Sequence, residues 1–308
     1  MSLEPIKIKH PITKILVSKV NQSFSSAYRK SDTTSSSDLK RIRNTLHEKS
    51  RERKKSRKII FSRTEMEGIP VEITSPKNKM SENMIFYIHG GAYMIGLISY
   101  SQRYAEMLAV ESGCTVYAID YSLSPENQYP VALDECEKVY LKLRKDHPQS
   151  KIAFIGDSAG GGFCVSLTLR LKAKHLAMPS CMVVHSPVMD LSGKLDRTVN
   201  VNQDEIIRPS RFHIAADIYA GTADTKNDEI SPVYGDYTNF PPVFITVDKH
   251  ETMFADSIEL DRLIEKAGGI VKTVTIDGSF HAFAVMGMFS PESAKLMKEY
   301  TAFIRQNF

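Results

Sequence analysis

Ser158 stands between two glycines in Gly156-Asp157-Ser158-Ala159-Gly160, and this pentapeptide joins two segments of opposite character. Residues 151–154 before it are a short apolar run that reads as a buried strand. Residues 162–172 after it read as a helix. A chain that passes from strand to helix in so few residues has little freedom. Side chains at 156 and 160 would collide with neighbouring backbone, and the serine between them is held strained and exposed. The free N–H groups and positive end of the following helix point back at Ser158. The stretch therefore demands a strand–turn–helix unit in an α/β chain.

The rest of the chain supplies more such units. Residues 84–88 form a continuous apolar run, as expected for a strand covered on both faces. A helix is expected over about 99–112, a strand over 114–119 and a helix over about 130–146. Further strands are expected at 181–185, 243–247 and 270–276, with helices at about 254–267 and 291–306. This alternation specifies a mainly parallel sheet of about eight strands with helices on both faces. Upstream, residues 58–66 and 69–75 read as strands, and residues 11–28 as a helix with Ile12, Ile15, Leu16 and Val20 on one face. Residues 30–38 read as a polar loop. The alternation breaks between about 188 and 232, where only a helix near 209–220 stands out, so that stretch reads as an insertion.

A chain of 308 residues fits one large domain, or a core with a smaller appendage. No apolar stretch reaches the ~20 residues that span a membrane, and the N-terminus lacks a signal-peptide core. Cys114, Cys136, Cys164 and Cys181 show neither paired nor metal-type spacing and lie in apolar or helical runs, so they read as reduced and buried. Both features point to a cytoplasmic protein. The net charge of +4 is uneven. Residues 40–58 hold ten Lys/Arg against Glu48 and Glu52, a net of +8, which leaves −4 for the remainder. No aromatics interleave with this run, so it reads as a solvated helix and not as a nucleic-acid surface.

A serine hydroxyl is a poor nucleophile unless a base takes its proton and a third group orients that base. Among nine histidines, His281 is the best placed, in a loop after the last strand, at the carboxyl end of the sheet where catalytic groups gather. His89 is its rival, but its neighbours Gly90 and Gly91 suggest another task. The orienting acid should follow the 243–247 strand, where Asp248, Glu251 and Asp256 are available. Glu251 is favoured because it lies just beyond the strand end, whereas Asp248 is nearly on it. A carboxylate there can instead cap the following helix. The backbone N–H groups of Gly90, Gly91 and Ala159 are the candidate donors to an oxyanion. Nothing in the spacing suggests a metal or a cofactor.

Taken together, His89-Gly-Gly-Ala-Tyr93, Tyr121-Ser-Leu-Ser-Pro-Glu126, Tyr129-Pro-Val-Ala-Leu-Asp134, Gly156-Asp-Ser-Ala-Gly-Gly161, Ile230-Ser-Pro232, Glu251-Thr-Met-Phe-Ala-Asp256 and His281-Ala-Phe283 resemble the hormone-sensitive lipase family of α/β-hydrolases. The resemblance implies an α/β-hydrolase fold with a helical cap, and a serine carboxylic-ester hydrolase. Ser158 corresponds to the nucleophile, His281 to the base, Glu251 to the acid, and Gly90, Gly91 and Ala159 to the oxyanion donors. It implies short- to medium-chain acyl esters as substrates. A related acyl bond (amide, lactone, carbamate) or a non-catalytic ligand receptor is the alternative. Residues 1–56 and about 188–225 match the family's cap, with 57–308 as the core, and the helix over 11–28 would roof the acyl pocket. Three departures stand out. Ala92 replaces the family's third glycine, Ser122 an arginine, and Ala255 a carboxylate that falls instead at Asp256. The partner expected is a small acyl ester, with no nucleic acid, no stable membrane insertion, and a homo-oligomer as an open possibility.

Overall fold

From residue 84 onward each apolar run forms a strand and each run of helical period forms a helix, in strict alternation. The computed structural model describes residues 4–30, 43–44, 56–78, 80–198, 204, 206–207 and 212–308; for 23–30 it describes the backbone alone. In chain order the elements are β1 (Ile6–Lys7), α1 (Pro11–Lys30), β2 (Ile59–Met66), β3 (Ile69–Pro76), β4 (Met84–Ile88), α2 (Ser99–Ser112), β5 (Thr115–Ile119), α3 (Val131–Asp146), β6 (Ile152–Asp157) and α4 (Ala159–Ala173). They continue with β7 (Cys181–His185), α5 (Phe212–Ala220), β8 (Val243–Asp248), α6 (Phe254–Lys266), β9 (Val271–Asp277) and α7 (Pro291–Asn307).

The described strands make one nine-stranded sheet in the order β1-β9-β8-β7-β6-β4-β5-β3-β2. All neighbours pair in parallel except β2 with β3 and β3 with β5. The ninth strand is β1, only two residues long, which pairs Ile6 and Lys7 with Ile276 and Asp277. Two residues carry no readable alternation, so this edge escapes a sequence reading.

Strand β4 explains the two cores. Met84, Phe86 and Ile88 point to one face, where they join Phe154, Val184 and residues of α3 and α4. Ile85 and Tyr87 point to the other, with Val183, Phe244 and residues of α2 and α7. Both faces are buried, as a strand in the middle of a parallel sheet requires. The parallel strands β4, β6, β7, β8 and β9 all end at the same edge. Their carboxyl ends release His89, Ser158, Ser186, Glu251 and His281 within a few residues.

Helix α1 docks by a different face from the one its apolar spacing suggests. Thr13 and Val17 are buried, whereas Ile12 and Ile15 are each 56% exposed. The reason is a hydrogen-bonded anchor. Glu292 accepts the N–H groups of Lys9 and His10 and the hydroxyl of Thr13, which fixes how the helix enters. The polar loop over 30–38 and nearly all of the basic run 40–58 lie outside the described residues, as do 199–203, 205 and 208–211 of the insertion. All four cysteines are buried and unpaired. Among the described residues, no helix is long and apolar enough to cross a membrane.

Candidate active site

The elbow's two glycines have the steric role expected of them. A Cβ at Gly156 would meet the carbonyl oxygen of Gly160, and one at Gly160 would meet those of Ile88 and His89. Ser158 itself has φ 54° and ψ −123°, outside the ordinary helix and strand regions. Its N–H donates to the His185 carbonyl at 2.8 Å, and its own carbonyl accepts from Gly162 and Val188. Of eight non-glycine residues with positive φ among those described, Ala92, Tyr93, Ser158, Ser186 and Ala282 lie in the loops at this edge of the sheet. Strain on that scale persists only where the surroundings enforce it, and it concentrates at functional sites.

The structure brings three of the sequence candidates into one chain of hydrogen bonds. The Ser158 hydroxyl lies 2.8 Å from His281 Nε2, and His281 Nδ1 lies 2.7 Å from Glu251 Oε2. Residues 123 positions apart thus meet at the edge, and all three side chains are more than nine-tenths buried. The second Glu251 oxygen accepts the Asp248 N–H at 3.0 Å and the Ser186 hydroxyl, so both oxygens are satisfied and the rotamer is fixed. Burial disfavours the His281 cation. The charge and hydrogen bond of Glu251, with Asp204 and Asp157 farther off, outweigh that and raise its pKa above the ordinary 6.5. Burial pushes the Glu251 carboxyl up, and His281 and Ser186 oppose it.

The other two carboxylates have different tasks. Asp248 accepts from the N–H and hydroxyl of Ser279 at 2.7 and 2.6 Å and from the His250 N–H, which ties down the loop that carries His281. Asp256 is fully buried against Arg197 and accepts the N–H groups of Met189 and Asp190. His89 does not reach Ser158. Its Nδ1 bonds the Gly90 carbonyl at 2.7 Å, its ring stacks on Tyr121 at 4.3 Å, and burial lowers its pKa.

Of the candidate oxyanion donors, Gly90 lies against a carboxylate. A Cβ there would meet Oδ2 of the buried Asp157, whose Oδ1 accepts from the Tyr87 hydroxyl at 2.7 Å. The neighbouring N–H groups of Gly91 and Ala92, and that of Ala159 at the first turn of α4, donate to no protein acceptor among the described residues. Ala92 has φ 51°, a conformation for which the sequence offers no signal. Sequence reading also missed Ser186 and Asp204. Ser186 bridges Glu251 to the Ala282 N–H at 3.1 Å. Asp204, in the insertion, accepts the Thr252 N–H at 2.8 Å beside Glu251. Neither lies in a readable motif.

A hydrogen-bonded serine, imidazole and carboxylate can carry a proton from the hydroxyl to the ring while the carboxylate balances the charge formed there. Similar proteins are named as hydrolases and esterases. A sequence model of the α/β hydrolase fold family matches residues 85–285. LipR of Mycobacterium tuberculosis, named as an acetyl-hydrolase, is 29% identical over 246 residues, spanning 80% of each chain. An esterase of Acinetobacter venetianus is 28% identical over 229 residues, covering 71% of this chain and 74% of its own. A solved structure described as a hormone-sensitive lipase from a metagenome library superimposes with a TM-score of 0.85 at 28% identity, covering 94% of this chain and 97% of that one. The chain therefore belongs to the α/β hydrolase fold family, on its hormone-sensitive lipase side, and is an enzyme of the serine hydrolase type.

Proposed function

We propose that this protein is a serine carboxylic-ester hydrolase that acts on short- to medium-chain acyl esters through an acyl-enzyme. The observation that carries this reading is the hydrogen-bond chain from Ser158 through His281 to Glu251. Ser158 Oγ attacks the ester carbonyl carbon, and its proton passes to His281 Nε2. The carbonyl oxygen becomes the oxyanion and is met by the N–H groups of Gly91, Ala92 and Ala159. As the tetrahedral species collapses, His281 returns the proton to the departing alcohol. A water then enters, loses a proton to His281, and releases the acid from Ser158. Glu251 holds the ring in the working tautomer throughout and stabilises its cation. Acetyl-hydrolase names among the relatives, LipR and a Streptomyces hygroscopicus protein 26% identical over 223 residues, support a short acyl chain.

The test is turnover of p-nitrophenyl esters from acetate to laurate by the full chain and by Ser158→Ala. The expected result is measurable hydrolysis that falls steeply with chain length and disappears in the variant. A folded protein that turns over no ester would redirect the reading to an amide, lactone or carbamate, or to ligand binding without turnover.

A further inference from the structure

The loop that carries the Gly91 and Ala92 N–H groups is conformationally costly. Gly91, Ala92 and Tyr93 have φ of 126°, 51° and 64° in succession, and a Cβ at Gly91 would meet the Ile95 carbonyl oxygen. Two of these are not glycine, so something outside the loop must hold them. Part of the support is the neighbouring 120–124 segment. The Ser124 N–H donates to the Tyr93 carbonyl at 2.9 Å, the Tyr121 hydroxyl donates to the His89 carbonyl at 2.9 Å, and the Leu97 N–H donates to Asp120 at 3.1 Å. Among the described residues, no backbone N–H donates to the carbonyls of Met94 and Ser124.

Arg43 fills this joint. It comes from the basic run, which its sequence marks as a solvated face, yet its side chain is only 14% exposed. Its Nε donates to the Met94 carbonyl at 2.6 Å, and its Nη2 donates to the Ser124 carbonyl. Its Nη1 lies 2.8 Å from both oxygens of Glu126. The planar guanidinium thus spans three acceptors on two loops at once, which a lysine ammonium on a flexible stem cannot do with the same geometry. The Tyr121–Glu126 element contains no Lys or Arg, and Ser122 spends its N–H and hydroxyl on Glu135. The positive charge arrives from 83 residues upstream.

We propose that Arg43 is a positioning residue, whose guanidinium clamps the 89–97 loop to the 121–126 element and so holds the Gly91 and Ala92 N–H groups where an oxyanion develops. This rests on the ester-hydrolase reading given above. Arg43 touches neither Ser158 nor His281, so its removal should leave ground-state binding nearly intact and weaken only the species that carries negative charge on oxygen.

The test uses the full chain as wild type, Arg43→Ala, Arg43→Lys and Glu126→Gln. Hydrolysis of p-nitrophenyl butyrate is measured beside inhibition by phenylboronic acid, a probe that becomes tetrahedral on the serine. In Arg43→Ala, kcat should fall about tenfold or more with KM within about twofold, and boronate inhibition should weaken by a similar factor. Methylguanidinium added to Arg43→Ala should restore part of kcat. Arg43→Lys should lie between wild type and alanine, and Glu126→Gln, which keeps both carbonyl contacts, should lose roughly threefold. Unchanged kcat in Arg43→Ala, or a loss confined to KM with full boronate affinity, overturns the proposal. If that variant does not fold, unchanged kcat and boronate affinity in both Arg43→Lys and Glu126→Gln overturn it. A folded wild type that neither turns over an ester nor binds the boronate overturns the ester-hydrolase reading itself, and the wild-type arm alone distinguishes that failure.

Discussion

At the scale of the residue, the chemistry turns on which carboxylate faces His281. Glu251 Oε2 lies 2.7 Å from the ring nitrogen, whereas Asp248 spends its oxygens on Ser279 and His250. Glu251→Gln should therefore lower kcat by about two to four orders of magnitude, because an amide neither fixes the tautomer nor stabilises the cation. Asp248→Asn should cost about tenfold or less, through a looser His281 loop. Steady-state kinetics on one ester ranks them, and the reverse order would mean that Asp248 is the acid. The charge on His281 also sets the pH dependence. Its pKa is raised, so the neutral base forms above the ordinary 6.5, and the acidic limb of kcat/KM should have its midpoint above that value. Asp204 contributes to the rise. Asp204→Asn should shift the limb to lower pH, and a shift upward or none at all would contradict that electrostatic account.

At the scale of the element, the site depends on the insertion after β7 being tied to the helix that follows β8. Asp256, in the first turn of α6, is fully buried and accepts two hydrogen bonds from Arg197 and two from backbone N–H groups of the insertion. Arg197 also donates to the Asp190 carbonyl and packs its guanidinium 4.0 Å from the centre of the Phe212 ring at the start of α5. Asp256→Ala strips the partner from a buried cation and leaves two N–H groups unsatisfied. It should cost about 3–5 kcal/mol of stability, read from urea unfolding. A cost below ~1 kcal/mol would show that water replaces the carboxylate. The same element explains why Asp256 was a fair candidate from spacing alone. It lies on the first turn of a helix at the right edge of the sheet, and only its orientation removes it from His281.

At the scale of the whole molecule, the core contains a histidine that links three elements far apart in sequence. His185, at the end of β7, bonds Tyr104 of α2 through Nε2 at 2.7 Å and Thr246 of β8 through Nδ1 at 2.8 Å. Burial lowers its pKa to about 3. Below the ordinary value of 6.5, the unfolded chain binds a proton there that the folded chain refuses. Its contribution is therefore complete above that pH and is lost as pH falls toward 3, at ~1.4 kcal/mol per unit. Urea unfolding at pH 5 and pH 7 should show a smaller difference in His185→Asn than in wild type. Equal slopes would mean that His185 titrates normally.

The sequence by itself determined the class of fold, because a strand covered on both faces must be apolar throughout and a surface helix must be apolar on one stripe. Those periods are local and survive in the linear string. It also singled out Ser158, whose glycine neighbours are demanded by a turn only a few residues long, and it narrowed the base and acid to short loops after particular strands. Tertiary structure decided what depends on direction and distance. It turned Glu251, and not Asp248 or Asp256, toward His281, and it set Gly90 against the buried Asp157 carboxylate. It docked α1 by Thr13 and Val17 through the Glu292 anchor, and drew Arg43 from a basic run into the joint between two loops. Each of these is a contact between segments tens to hundreds of residues apart. Side-chain orientation at such a contact is set by packing and hydrogen-bond satisfaction in three dimensions, for which the linear spacing of residues carries no mark.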